Sequence, residues 1–155
     1  MRVIRATFWG LVAITSLLSV WGCKNPFRSE QTLSFSTILQ SNYYYAFEKP
    51  TDLVIVDKGS WESLWYQVFP DSQRVLPEVD FSQEMVVVTS RGMMGGGGYT
   101  TEIVEIKKGD DIVVKVVNKS PRGPIFYDVM TCPTHIVCTK RYDRKVKFEK
   151  LYPIF

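Results

Sequence analysis

The sequence predicts an α+β domain: a mostly antiparallel β sheet or sandwich with one amphipathic helix packed on the sheet. Three observations predict it. From Leu33 onward, runs of four to eight β-forming residues recur between turn signals. One segment breaks that rhythm with helical spacing, Trp61, Leu64, Trp65 and Val68 falling at i, i+3, i+4 and i+7. The 155 residues are 45% apolar and 23% charged, the composition of one folded domain with little room for a second core.

The elements follow in order. Leu33 to Leu39 begins with strand-like alternation, Tyr43 to Phe47 is a short aromatic run, and Leu53 to Val56 is a compact apolar strand. Ser60 is placed to cap the helix and Pro70 to stop it. Met85 to Ser90 is continuous enough to be a central strand buried on both faces. Tyr99 to Ile106 and Ile112 to Val117 flank Lys107-Lys108-Gly109-Asp110-Asp111, a hairpin turn. On its second arm Ile112, Val114 and Val116 share one face, and Val113, Lys115 and Val117 the other. His135 to Thr139 is a further strand, and Val146 and Phe148 alternate with lysines and Glu149 in the last.

The first 23 residues are an address rather than structure. Met1-Arg2-Val3-Ile4-Arg5 is a basic start, and Ala6 to Val20 is an apolar run too short for a comfortable span. The run ends in Val20-Trp21-Gly22-Cys23, which resembles the lipobox of bacterial lipoproteins, although Trp21 stands where a small residue is usual. The resemblance implies cleavage before Cys23 and lipidation of its thiol, anchoring the chain to a membrane of the cell envelope. A plain cleaved signal and an uncleaved anchor are the alternatives. Lys24 in place of Asp implies the outer membrane where the organism has two. The organisation is then 1–23 lipoprotein signal peptide, 24–32 polar tether and 33–155 single domain. Without Arg2 and Arg5 the remainder holds 17 basic and 16 acidic residues. A nucleic-acid binder needs a clear basic excess, so no nucleic-acid partner is expected.

Four motifs fall in the order of the PrcB-like C-terminal domain family, named for a lipoprotein subunit of a bacterial surface protease complex. They are Ser60-Trp61-Glu62-Ser63-Leu64-Trp65, the stretch from Val79 to Val87, the stretch from Gly97 to Ile103, and the stretch from Thr131 to Val137. The last resembles the family's Pro-x-His-Ile-Val, with Cys132 a departure just before the proline. The resemblance covers roughly residues 54–148. It implies a small lipid-tethered β-rich domain that accompanies an exported protease without catalysis of its own, and it brings no binding residue with it.

Candidate chemistry is sparse. Met93-Met94-Gly95-Gly96-Gly97-Gly98-Tyr99 is the strongest oddity, because four glycines cost folding entropy unless their permissive backbone is needed. A partner-binding loop is one use, with the methionines and Tyr99 as adaptable apolar contacts; a wide β connection is the other. Pro121 to Pro124 is a second exposed loop. The glycines open a strand, not a helix, so they do not form a phosphate cradle, and no cofactor is expected. His135 is the only histidine, and Cys132 and Cys138 each lie three positions from it. Odd separation in a strand puts side chains on opposite faces, so neither thiol is a natural partner of the ring. A metal site would lack a fourth ligand. His135 itself reads as a strand residue with its ring against the sheet edge. A disulfide between Cys132 and Cys138 would have to fold back about 20 Å of extended chain, and Pro133 offers a turn. Two free buried thiols are the other reading. Asp110-Asp111 and Asp80 read as turn residues. The expected function is that of a non-enzymatic envelope protein that binds and stabilises an exported partner such as a protease complex; the alternative is a protease inhibitor acting through the glycine-rich loop.

Overall fold

The computed structural model describes residues 30–70, 74–122 and 129–153. Cys23 and most of the tether lie outside them. Eight strands and one helix follow in the order β1 (Gln31–Leu33), β2 (Phe35–Ser41), β3 (Thr51–Ile55), α1 (Lys58–Val68), β4 (Glu84–Ser90), β5 (Thr100–Lys108), β6 (Ile112–Lys119), β7 (Thr134–Lys140) and β8 (Val146–Leu151). They form two four-stranded sheets, ordered β1-β5-β6-β8 and β2-β7-β4-β3. The predicted α+β sandwich with a helix on one sheet is what forms.

Three layers result, and the alternation within strands explains them. Along β4, Met85 and Val87 face the first sheet, where they meet Ile103, Ile106, Ile112, Val114 and Val116. Val86 and Val88 point the other way, into a core with Trp61, Leu64, Trp65 and Val68 of α1. β7 divides likewise, with Val137 between the sheets and Ile136 beneath the helix. The doubly buried central strand is the one foreseen, because a strand covered on both faces reads as a near-continuous apolar run, here Met85 to Val88.

Three local expectations need correction. The helix starts a turn earlier than Ser60: Asp57 is the N-cap, accepting the Ser60 amide on Oδ1 at 2.9 Å while the Ser60 hydroxyl donates to its Oδ2. A carboxylate satisfies an orphan helix donor as well as a hydroxyl does, and these bonds hold the Asp57 carboxyl below the usual range. The run from Tyr43 to Phe47 is not a strand. Its aromatics anchor singly instead, Phe47 buried on the helix side and Tyr44 edge-on to Phe69 at 4.6 Å. Gln31 and Thr32, assigned to the tether by their polarity, pair with Lys108 and Lys107 as β1. Both are exposed, which is why polarity alone hides an edge strand. The pairing is mostly antiparallel, as expected: among the described residues only β8 runs parallel to its neighbour, β6, with Ile112 opposite Val146 through Val117 opposite Leu151.

At Ser34 the chain steps from one sheet to the other, joining β1 and β2 along one side of the sandwich. On the opposite side Lys150 of β8 meets Asp52 of β3 at 2.9 Å, and Asp52 also accepts the buried Thr89 hydroxyl.

Candidate functional site

The glycine-rich stretch leaves β4 through a forced turn. Gly92 has φ +73°, and a Cβ there would sit 2.5 Å from the Lys49 carbonyl carbon. The amide of Met93 donates to the Glu48 carbonyl at 3.2 Å. Met94 and Thr131 then form an isolated antiparallel bridge, each amide donating to the other's carbonyl, at 2.7 and 3.0 Å. The Thr131 hydroxyl donates to the Gly96 carbonyl at 2.7 Å. At the far end Gly98, φ +81°, lies so close to Pro121 that a Cβ would come within 2.9 Å of it. Arg91 covers the exit, stacked 5.1 Å from the Tyr99 ring and donating to the Lys119 carbonyl at 2.7 Å.

The loop is therefore clasped at three points. Met93 remains exposed, and so do Val129 and Met130 beside the bridge. Tyr45 joins them, its hydroxyl donating to the Met130 carbonyl at 2.8 Å. Single exposed apolar residues mean little, whereas a contiguous exposed apolar patch is unusual on a monomer. Of these, sequence reasoning found Met93, Met94 and the glycines. It missed Val129, Met130, Thr131 and Tyr45, because a bridge between Met94 and Thr131 leaves no local signal.

The glycines are not equivalent, and this is testable. Nothing lies within 4 Å of a Cβ built on Gly95, which has no left-handed φ. Gly95→Ala is expected to leave the urea midpoint unchanged or slightly raised. Gly98→Ala, strained in backbone and crowded by Pro121, should lose about 1–3 kcal/mol. Equal midpoints for the two variants would show that the clasp at Pro121 carries no weight.

The other candidate groups separate. His135 is not against the sheet edge; it is 2% exposed and bridges the two sheets. Its Nδ1 accepts the Ile103 amide of β5 at 2.8 Å, and its Nε2 lies 3.0 Å from the Thr37 hydroxyl of β2. A ring accepting at Nδ1 is neutral and carries its proton on Nε2, which donates to Thr37. Burial pushes its pKa down, partly offset by the charge of Glu102. Cys132 is on the helix side, its thiol donating to the Phe47 carbonyl at 3.3 Å. Cys132 and Cys138 are both free, and burial together with Glu84 pushes the Cys138 thiol up to about 11. A thiol so protonated is a poor nucleophile. Among the described residues no three His, Cys, Asp or Glu side chains gather as a metal site. No helix among them is long and apolar enough to cross a membrane. Asp80 closes a turn by accepting the amide and hydroxyl of Ser82. Asp111 pairs with Lys147 at the hairpin. Arg122 ends a described segment, and residues 123–128, which include the second half of the Pro121 to Pro124 loop, are not described.

The class defined so far is a helix-covered β-sandwich whose most distinctive surface is a clasped glycine loop. Residues 85–140 match the family described as PrcB C-terminal, the family that the order of motifs resembles. It is a family of non-catalytic accessory domains. The matched span runs from β4 through β7 and includes the glycine loop, its contacts to Thr131 and Pro121, and His135, while Glu48 and Lys49 of the first clasp and the helix motif at Ser60 to Trp65 fall outside it. No curated protein and no solved structure matches the chain.

Proposed function

We propose that this is a non-enzymatic, lipid-anchored envelope protein whose β-rich domain binds and stabilises an exported partner, with a protease complex as the partner class. The observation that carries the reading is the ordered apolar surface of Met93, Val129, Met130 and Tyr45. Three clasps hold its backbone before any partner arrives, so binding orders little further chain, and preorganisation of that kind favours affinity. Match to an accessory family supports the partner class. The anchor rests on the sequence around Cys23, and the envelope location follows from the anchor.

The test uses cells fed radioactive palmitate and expressing wild type, Cys23→Ala or the surface variant Met93→Asp/Met130→Asp. Wild type and the surface variant should carry label and Cys23→Ala none. Detergent extracts of wild type should retain an exported protease in stoichiometric amount, and the surface variant should lose it by at least about tenfold, the size of a weakened interface anchor. Equal recovery by both would remove this surface from the interface. If added protein lowers the protease activity in proportion to its amount, the role is inhibition rather than stabilisation.

A further inference from the structure

The sandwich has two unlike ends. β1 runs antiparallel to β5 from Gln31 opposite Lys108, so the chain enters the domain beside the β5–β6 hairpin. β7 finishes at that end and β8 starts there, Val146 opposite Ile112. The loop between them flanks the hairpin, where the Ile112 amide donates to the Lys145 carbonyl at 2.8 Å. The glycine loop and the Met94–Thr131 bridge lie at the other end, ahead of Thr100 of β5 and Thr134 of β7. The nine residues of β5 separate the two ends by roughly 27 Å, at about 3.4 Å per step.

The entry corner is basic. Residues 107–111 and 140–147 hold seven Lys and Arg against three Asp, with Glu30 and Glu84 the further acids there. The other described residues hold eight basic and nine acidic side chains. Three of the corner's acids face bases within it: Glu30 meets Lys107, Asp111 meets Lys147 and Asp143 meets Arg141. On the helix side Asp57 and Asp80 border the corner, each engaged by the serine of its own turn. Lys140 and Lys145 are exposed, and Lys108 and Lys140 flank the Tyr142 ring at 4.1 and 5.9 Å from its centre. Between Cys23 and Glu30 the sequence adds Lys24 and Arg28 and no acid.

We infer that this basic corner seats on the anionic headgroups of the membrane that holds the lipid anchor, which turns the Met93 surface away from the membrane and toward its partner. The inference rests on the anchor proposed at Cys23. Seven chain steps separate Cys23 from Glu30, at most about 25 Å. The acyl chains therefore keep the corner at the surface whatever its own affinity, and a tethered contact forms at high effective concentration. Basic side chains near an anionic leaflet are attracted to it, and a tyrosine ring suits the headgroup level. Seated in this way, the domain holds Met93, Val129, Met130 and Tyr45 a strand's length above the lipid, where an extramembrane partner can reach them.

Trace acetylation of lysines with an uncharged reagent, read by mass spectrometry, tests it on the full chain purified from membranes and reconstituted in vesicles. One set is phosphatidylcholine, the other phosphatidylcholine with about one-third phosphatidylglycerol. The anionic lipid should slow acetylation of Lys140 and Lys145 by at least about fivefold, the effect of one basic side chain at an anionic surface. Lys49 beside Gly92 and Lys119 opposite Thr100, both at the far end, should be unchanged. Salt at about 1 M, where the screening length is about 3 Å, should restore the rates. In Lys108→Glu/Lys140→Glu, Lys145 should label alike in both vesicles. Equal rates for wild type in the two vesicles would overturn the inference and leave the anchor standing, and so would protection of Lys119 in place of Lys145. Protein that floats with neither vesicle would remove the anchor and the inference together. Protection in native membranes but in neither vesicle would assign the corner to an acidic protein instead.

Discussion

Replacing Trp61 with alanine is expected to lower the stability of the domain by about 3–5 kcal/mol, the range for deleting a large aromatic from a packed core. Trp61 is 1% exposed, lies against Trp65 with ring centroids 5.3 Å apart, and donates its indole N–H to the Pro77 carbonyl at 3.0 Å. The substitution removes the largest fully buried side chain among the described residues from the core under α1, and leaves that carbonyl without its partner. In a thermal melt the midpoint should fall by roughly 10 °C or more. Trp61→Phe keeps most of the volume but not the donor, so its loss should be smaller. A melt for Trp61→Ala within 2 or 3 °C of wild type, on the order of 1 kcal/mol, would mean that the helix layer contributes little to the fold.

Acid should weaken the domain through His135 before any carboxylate is involved. In the folded chain the ring is neutral, accepting from Ile103 and donating to Thr37, and burial depresses its pKa. Unfolded, it titrates near 6.5. Below that pH the unfolded chain takes up a proton that the folded chain refuses. The stabilisation is therefore complete above about 6.5 and is lost as pH falls toward the folded value, by at most about 1.4 kcal/mol per pH unit. Solvent near edge strand β2 screens this and reduces the figure. No other histidine exists in the chain to confuse the assignment. The groups around the ring are Thr37 of β2, Thr89 opposite on β4, and the Ile103 amide and Glu102 of β5, none of them basic. His135→Leu should cost about 1–3 kcal/mol at pH 7.5, because the Ile103 amide loses its buried acceptor. Its denaturant midpoint should stay level down to pH 5, where the wild type declines toward it. Parallel pH profiles for the two would refute a neutral clamp.

Much of the fold was legible because its signals are local. The spacing of Trp61, Leu64, Trp65 and Val68 is a helical face wherever the chain goes, and Lys108-Gly109-Asp110-Asp111 is a turn signal contained in four consecutive residues. Unbroken apolarity from Met85 to Val88 said that β4 would be covered twice, and the sheets and the helix do cover it. What stayed hidden depends on partners distant in sequence. Nothing in Val146 to Leu151 says that it will lie parallel to β6. Nothing around His135 names Ile103, whose amide is free to reach it beside the register shift between Ile103 and Glu105. The same holds for the candidate site. Its glycines announced an unusual backbone, but the apolar neighbours come from Tyr45 and Met130, joined by a hydrogen bond across 85 positions.

The step at Ser34 has a consequence for the order in which the chain can become structured. Glu30 and Lys107, which tie β1 to β5, are 77 positions apart, and Thr37 and His135, which tie β2 to β7, are 98 apart. A chain appearing N-terminus first, from a ribosome or across a membrane, shows its two leading strands long before either has a mate. Those strands must wait, unpaired, until most of the remaining chain has emerged. Closing such long loops is slow, and waiting edges invite the wrong neighbour. Ser34, Ser36, Thr37 and Gln40, exposed along β2 and just before it, make that wait tolerable: they keep the early strands polar while they are alone. Assembly of the second sheet is thus confined to a late step: a chain halted before β7 would have β5 as a mate for β1 but none for β2.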